Sequence, residues 1–262
     1  MSGEDLTADL GSVRLRYTAW SGCSPPIVFL HGVSSWRQTW SAVASVRGER
    51  HAYAVDARGH GESSREQGSY TFAQHAEDAA TFLSQVVGEP AVLIGHSQGA
   101  MVTIRLAARH PDSVQAAVLV DPPLYVAERG LRDDREGFEQ ISTVAGRGTD
   151  QLVRFGMPRF RAEMLSRLDP EVMTQIVDGS AFDGWDTDEQ LSAIRCPTLL
   201  LHGERALNSA IYDGELERAR ATLGGLRIVG IEGAGHLIQV EQPERFGATV
   251  TPFLNEVAPV AP

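Results

Sequence analysis

Short runs of apolar residues recur along the chain and alternate with longer segments whose apolar positions have helical spacing. The strand-length runs are VRLRYTA near residue 13, IVFL at 27, AYAV at 52, AVLI at 91, AAVLV at 116, PTLLL at 197 and LRIVGI at 226. The helix-like segments are 70–87, 100–110, 213–223 and 242–257. Because most of the runs are continuous rather than alternating, they predict strands covered on both faces, as in a parallel sheet. The alternation of strands and helices is typical of a doubly wound α/β fold.

This alternation is interrupted over residues 122–195, where no strand is evident. Apolar residues there have helical spacing, as in FEQISTVAG, MPRFRAEMLSRL and PEVMTQIVDG. Because the sheet pattern resumes at CPTLLLHG, the segment is interpreted as a helical cap inserted into one core. We therefore assign residues 1–121 and 196–262 to an α/β core and residues 122–195 to the cap. Ligands of open α/β sheets bind beyond the carboxyl ends of the strands, where such a cap would lie.

Composition narrows the classes of partner. The chain has 262 residues and a formal net charge of −11, and its 23 basic residues are all arginines that form no run, so nucleic acid is not an expected partner. No segment approaches the roughly 20 apolar residues of a membrane helix, and the polar, acidic start favours a cytoplasmic location. The two cysteines lack metal-type spacing, and we expect no metal. A small-molecule substrate is expected, and the sequence leaves monomer and homodimer open.

The pentapeptide from Gly95 to Gly99 fits the pattern G-x-S-x-G and joins the strand AVLI to the helix-like AMVTIRLAARH. A side chain on a sharp strand-to-helix turn is crowded by backbone, and glycines two positions before and after it remove the clashing β-carbons. This context predicts that Ser97 is a nucleophile. The amide of Gln98, at the helix N-terminus, is expected to point where an oxyanion would form.

Serine needs a base within hydrogen-bond reach, and the leading candidate is His236 in GAGHLIQVEQPERF, just before the terminal helix. The second oxyanion donor is expected in FLHGVSSW, where the amide of Val33 would face that of Gln98. His96 is interpreted as a packing residue. The stretch DARGHGES, residues 56–63, is interpreted as a rigid turn whose Asp56, Arg58 and His60 bond one another.

The motifs FLHGVSSW, DARGHGES, GHSQG, PTLLLHGE and GAGHLIQVEQPERF occur in the order found in the α/β-hydrolase superfamily, which the chain resembles outside the cap. The resemblance implies an eight-stranded, mostly parallel sheet and a helical cap between strands six and seven. It also implies a triad of serine, acid and histidine and chemistry without a cofactor.

One departure from the family pattern concerns the triad acid. Family members usually carry it after the seventh strand in a pattern like H-G-x-x-D, but LHGERALNSA places Ala206 at that position. We expect Asp121, at the end of the sixth strand, to replace it, since some branches of the superfamily use an acid there. Glu204 is the alternative acid; Asp213, another residue or no acid at all remain open.

These residues predict a serine hydrolase of the esterase or lactonase type. Ser97 would attack a carbonyl carbon, His236 would act as base and then acid, Asp121 would orient it, and the two amides would hold the oxyanion. Water would then release the acyl-enzyme. A carbon-carbon bond hydrolase or lyase on the same triad, or a weakly catalytic small-molecule receptor, are the alternatives.

Specificity is expected to come from bulky apolar residues of the cap and nearby loops, most of which would form the core of the cap. Trp36, Tyr125 and Trp185 are the predicted substrate-binding residues. The remaining bulky residues of this group are Met157, Phe160, Met164 and Phe182. The group favours a medium-sized apolar or aromatic substrate.

Overall fold

Eight strands form a single sheet in the computed structural model, which describes residues 3–66, 68 and 70–260. The strands are β1 (Glu4–Asp9), β2 (Arg14–Trp20), β3 (Cys23–Leu30), β4 (Arg50–Val55), β5 (Ala91–His96), β6 (Val114–Val120), β7 (Thr198–His202) and β8 (Arg227–Gly230). Their order across the sheet is β1-β2-β4-β3-β5-β6-β7-β8. The pairs β1–β2 and β2–β4 are antiparallel and all other neighbours are parallel, which confirms the predicted fold.

Two helical layers cover the sheet, because side chains of successive strand residues point to opposite faces. The helices of the described chain are α1 (Phe72–Phe82), α2 (Gln98–Arg109), α3 (Val126–Arg129), α4 (Arg135–Val144), α5 (Thr149–Arg154), α6 (Arg159–Ser166), α7 (Pro170–Asp178), α8 (Thr187–Ala193), α9 (Glu215–Thr222), α10 (Ile238–Glu241) and α11 (Pro243–Val257). In β3, Val28 joins the core beneath α1 and α2, whereas Phe29 joins the core beneath α11 and the 3-10 segment Arg37–Arg47.

The chain between β6 and β7 is helical and contributes no strand within the described residues. Its helices α4 to α7 bury a small core of their own, which Tyr70 joins from outside the segment. The division into a core of residues 1–121 and 196–262 and a cap of residues 122–195 stays a prediction. Residues 1, 2, 67, 69, 261 and 262 of that division lie outside the described part of the chain.

The edge strand β1 is absent from the sequence-based strand assignments, although the family resemblance implied eight strands. Its sequence EDLTAD has four exposed residues and one buried one, Ala8. Charged, partly exposed edge strands protect a sheet from pairing with another chain, and the same composition removes the apolar run by which a strand is recognised.

We expected Asp56, Arg58 and His60 to bond one another, but two of the three side chains bond residues outside the turn. Asp56 accepts the backbone N–H of Arg37 at 2.7 Å and also binds its guanidinium. Arg58 pairs instead with Asp78, with Nη2 at 2.6 Å from Oδ1. Among the three side chains, the ring of His60 bonds Arg58 within the turn, from Nδ1 to the carbonyl at 2.9 Å. The distant partners, Arg37 for Asp56 and Asp78 for Arg58, come from other segments, which no local pattern reveals.

Candidate active site

Ser97 lies in the turn between β5 and α2 and has φ 52° and ψ −117°. A non-glycine residue in this region is strained and persists only where its surroundings enforce the conformation. A β-carbon at position 95 would lie 2.2 Å from the Gly99 carbonyl oxygen, and one at position 99 would lie 2.1 Å from the Leu30 carbonyl oxygen. Both glycines of the pentapeptide are therefore required by backbone contacts.

Substitution of Gly99 by alanine is expected to lower the free energy of unfolding by about 1–3 kcal/mol, because the new methyl group must push backbone apart. Urea unfolding followed by circular dichroism measures the change. Gly137→Ala in α4 is the matched control: no atom lies within 4 Å of its β-carbon position, and alanine in a helix should raise stability by about 1 kcal/mol. Equal stability of both variants would contradict the crowding argument.

Ser97 and His236 line one cavity of about 110 Å³ between the sheet and the helices that follow β6. Its apolar lining comes from Val33, Phe72, Pro123, Val126, Leu131, Phe138, Ile176 and Phe182, and its polar lining from Gln98, Arg129, Asp134 and Asn208. Ala210 completes it. The predicted nucleophile and base thus line the same cavity.

Val33 and Gln98, whose amides were predicted to hold an oxyanion, both line this cavity. Among the described residues, neither amide nitrogen bonds a backbone carbonyl of a turn, loop or cap, so both can face a ligand. The Val33 loop is fixed by His31, whose Nδ1 donates to the Gly32 carbonyl at 2.8 Å while Nε2 accepts from the Ala57 amide at 2.9 Å. Burial lowers the pKa of His31 to about 4, so the ring is neutral and holds this tautomer at neutral pH.

Asp121 follows β6 directly and is fully buried, and its Oδ2 lies 2.7 Å from Nδ1 of His236. The same oxygen accepts the Ala210 amide at 2.6 Å, while Oδ1 accepts the Ser209 hydroxyl at 2.6 Å and the Gly203 amide at 3.1 Å. Burial acts to raise the pKa of Asp121, but the hydrogen bonds and the charge of His236 outweigh it and hold the pKa below its ordinary value. The carboxylate is therefore ionised and aimed at the imidazole.

His96, interpreted from the sequence as a packing residue, also holds the histidine loop. Its Nε2 donates to the His236 carbonyl at 2.8 Å, and burial lowers its pKa to about 3, so it is neutral. No hydrogen bond joins the Ser97 hydroxyl to the His236 ring within the described chain. Catalytic hydrogen bonds of this kind are often long without substrate and tighten in the complex.

The alternative acid, Glu204, does not bond the imidazole of His236. Its exposed side chain accepts the Gly233 amide at 2.7 Å and makes no hydrogen bond to His236. Ala206 is exposed in the short turn Arg205–Leu207. Asp213 is exposed as well. Of the carboxylates considered from the sequence, the structure brings only Asp121 to the imidazole.

The three predicted substrate-binding residues do not line the cavity of Ser97. Trp36 is buried between the core and the cap, with its ring 6.1 Å from that of Phe160 and the guanidinium of Arg167 4.7 Å above it. It lies close to the Val33 loop, as expected, but its side chain joins the cap to that loop.

Tyr125 and Trp185 are likewise occupied by other contacts. The hydroxyl of Tyr125 donates to Asp188 at 3.0 Å, and Nε1 of Trp185 donates to the Thr187 hydroxyl at 3.1 Å. The ring of Trp185 packs edge-on against Phe72, which does line the cavity. We therefore correct the expectation: none of the three aromatic rings lines the cavity of Ser97, and that of Trp185 packs against a residue that does.

The cap residues that do line the cavity were not predicted from the sequence. The exception is Phe182, which belonged to the group of bulky residues named there. Val126, Leu131, Phe138 and Ile176 are ordinary apolar residues of cap helices and loops. Nothing in their spacing distinguishes a side chain that faces the cavity from one that packs within the cap. Among the described residues, no group of three or more His, Cys, Asp or Glu side chains is arranged to hold a metal ion.

The nucleophile turn after β5, the histidine after β8 and the helical insertion after β6 define a known class. A family model described as the alpha/beta hydrolase family matches residues 27–249, and the chain belongs to this family. It is a hydrolytic enzyme.

The chain is 41% identical to Esterase Rv0045c of Mycobacterium tuberculosis, over 86% of this chain and 80% of that protein. It is 28% identical to a 2-(acetamidomethylene)succinate hydrolase of Mesorhizobium japonicum, over 94% of both chains. A similar solved structure is that of a thermophilic esterase from Thermogutta terrifontis, with 26% identity, a TM-score of 0.74 and coverage of 97% and 99%. No helix of the described residues has the length and apolar character needed to cross a membrane.

Proposed function

We propose that the protein cleaves a carboxylic ester or lactone of a small neutral molecule through an acyl-enzyme formed on Ser97. The observation that carries this proposal is the shared cavity: Ser97, His236, Val33 and Gln98 line it, and Oδ2 of Asp121 lies 2.7 Å from Nδ1 of the histidine. The resemblance to two esterases supports an ester bond as the target.

The reaction follows from the positions of these groups. His236 takes the hydroxyl proton as Ser97 attacks the carbonyl carbon, and the two amides stabilise the negative charge on the carbonyl oxygen. The ionised Asp121 fixes the tautomer of His236 and stabilises the imidazolium. His236 then gives the proton to the leaving oxygen, and a water molecule activated by the same histidine hydrolyses the acyl-enzyme.

The cavity restricts the substrate in size and charge. A cavity of about 150 Å³ accommodates benzene, so 110 Å³ has room for about four non-hydrogen atoms of an acyl group. Arg129 is the only arginine among the described lining residues, and Glu215, at 2.9 Å, neutralises it. Asp134, also in the lining, pairs with Arg129 at 3.9 Å and with Arg205 at 3.5 Å. The described lining therefore offers no unpaired arginine to the free carboxylate of a succinate derivative.

Hydrolysis of nitrophenyl esters tests the proposal. We expect kcat/KM for nitrophenyl butyrate to exceed that for nitrophenyl octanoate about tenfold, since the longer chain must displace packed side chains. Nitrophenyl hydrogen succinate has a similar acyl length with one carboxylate, and burying that charge unpaired should lower kcat/KM roughly a hundredfold or more relative to the butyrate.

The assays test the substrate class and the type of bond cleaved separately. A preference for the octanoate or the succinate half-ester would overturn the substrate class but leave a serine hydrolase. Absence of turnover for every ester, with correctly folded protein, would overturn the proposed bond type and favour carbon-carbon cleavage or ligand sensing.

A further inference from the structure

The loop after β7, residues 203–211, lacks the carboxylate that the family pattern places there and instead surrounds Asp121. Three of its groups donate to the carboxylate: the Gly203 amide at 3.1 Å, the Ser209 hydroxyl at 2.6 Å and the Ala210 amide at 2.6 Å. The backbone of Asp121 is held to the end of β7 as well, since its amide donates to the Leu201 carbonyl at 2.8 Å. This loop therefore still serves the triad, by supplying donors.

Ser209 is the one side chain among these donors. It is 1% exposed, and its hydroxyl has a single proton, which must point to Asp121 because an ionised carboxylate can only accept. Its oxygen in turn accepts the Ile211 amide at 3.3 Å, which fixes the rotamer. The hydroxyl is thus committed to the acid by contacts on both sides.

The two carboxylate oxygens divide the contacts. Oδ2 receives His236 and Ala210, and Oδ1 receives Ser209 and Gly203. Without the Ser209 hydroxyl, Oδ1 would keep only the longer bond from the Gly203 amide in a site closed to solvent. The carboxylate could then turn toward other donors and carry Oδ2 away from Nδ1 of His236. Asp121 itself has a positive φ of 45°, a conformation that such surrounding contacts must maintain.

We propose that Ser209 is a positioning residue of the triad: its hydroxyl holds the Asp121 carboxylate in the orientation that serves His236. The proposal rests on the proposed function. In this proposal the loop after β7 does not supply the triad acid but holds the acid, Asp121, in place.

The role has a consequence for the titration of Asp121. The titratable groups that face Asp121 are His236 and, beyond it, His96. The pKa of Asp121 lies below its ordinary value, so the carboxylate is charged above that pKa and loses its charge as the pH falls through it. Removal of the Ser209 hydroxyl takes away a hydrogen bond to the charged form and raises the pKa of Asp121.

The test compares Ser209→Ala with Ser209→Cys, whose thiol is a weaker donor, and with Ser192→Ala, an exposed serine that bonds only within its own helix. A hydrogen bond to a charged group predicts about a tenfold to hundredfold loss of kcat in Ser209→Ala, an intermediate loss in Ser209→Cys and none in Ser192→Ala. The pKa of Asp121, followed by carbon NMR of its carboxylate, should rise by about one unit in Ser209→Ala. Wild-type kcat and an unchanged Asp121 pKa in Ser209→Ala would overturn the proposal.

Proton NMR supplies a readout that needs no turnover. The Nδ1 proton shared between His236 and Asp121 should give a far-downfield signal in the wild type and in Ser192→Ala, and Ser209→Ala should shift or broaden it while thermal unfolding remains cooperative. An unchanged signal in Ser209→Ala contradicts the positioning role. If the wild type hydrolyses no ester yet the signal responds to Ser209, the proposed function fails and the positioning of Asp121 stands.

Discussion

Ser97→Ala is expected to lower kcat for nitrophenyl butyrate by about a millionfold, to a residual rate close to the detection limit. The acyl-enzyme needs an oxygen nucleophile at this position, and among the described residues that line the cavity Ser97 alone carries a hydroxyl. The residual rate reflects the oxyanion amides and the binding of substrate alone, because Val33 and Gln98 are unaffected by the change.

The measurement is steady-state hydrolysis, together with single-turnover mixing to detect the acyl-enzyme burst that the variant should lack. Loss of one hydroxyl should leave the fold intact, so cooperative thermal unfolding near the wild-type temperature is required before the rates are compared. Ser192→Ala controls for the substitution itself. A Ser97→Ala enzyme that retained one hundredth of the activity would exclude Ser97 as the nucleophile.

Features that depend on neighbouring residues in the chain were predictable from the sequence. The continuous apolar run before Gly95, the helical spacing after Gly99 and the serine between them specify a strand, a turn and a helix within about twenty residues. The parallel sheet follows from the same kind of local pattern. The edge strand β1 was missed because its exposed, charged sequence lacks that pattern.

Features that depend on distant contacts were not predictable in the same way. The aromatic residues chosen as substrate contacts are large, but the cavity is lined by whichever side chains the cap helices turn toward Ser97, as Phe138 and Ile176 do. The pairing of Asp56 with Arg37 crosses from one loop to another. The size of a side chain and its closeness along the sequence do not determine which residues it contacts. The packing of the helices and loops does.

The location of the triad acid was predictable only in part, because it depends on both the local sequence and the packing. Strands β6 and β7 are neighbours in a parallel sheet, so their carboxyl ends meet at the same edge, and a carboxylate after either one could reach His236. The sequence placed Asp121 and Glu204 at these two ends but could not orient their side chains. In the structure, the buried Asp121 faces the histidine, whereas Glu204 bonds the Gly233 amide at the surface.

Asp121→Asn and Glu204→Gln distinguish the two carboxylates by activity. Asp121→Asn is expected to lower kcat by about 10³- to 10⁴-fold, because an amide neither stabilises the imidazolium nor holds His236 in the required tautomer. The new NH₂ group would also oppose the donors Ser209 and Ala210, which now approach the two oxygens. Glu204→Gln keeps an oxygen for the Gly233 amide and should retain wild-type kcat within about twofold, as expected of an exposed side chain.

Titration of the Asp121 carboxylate itself separates loss of the acid from loss of the fold. Because hydrogen bonds and the charge of His236 leave Asp121 with a lowered pKa, the wild-type carboxylate should keep its charge until the pH falls below the ordinary range of an aspartate, and carbon NMR should follow that transition. Asparagine cannot titrate, so Asp121→Asn should lack this transition while its thermal unfolding stays cooperative. Full activity in Asp121→Asn with a loss in Glu204→Gln would transfer the role to Glu204, and it would require the Glu204 side chain to leave Gly233 and approach the histidine during catalysis.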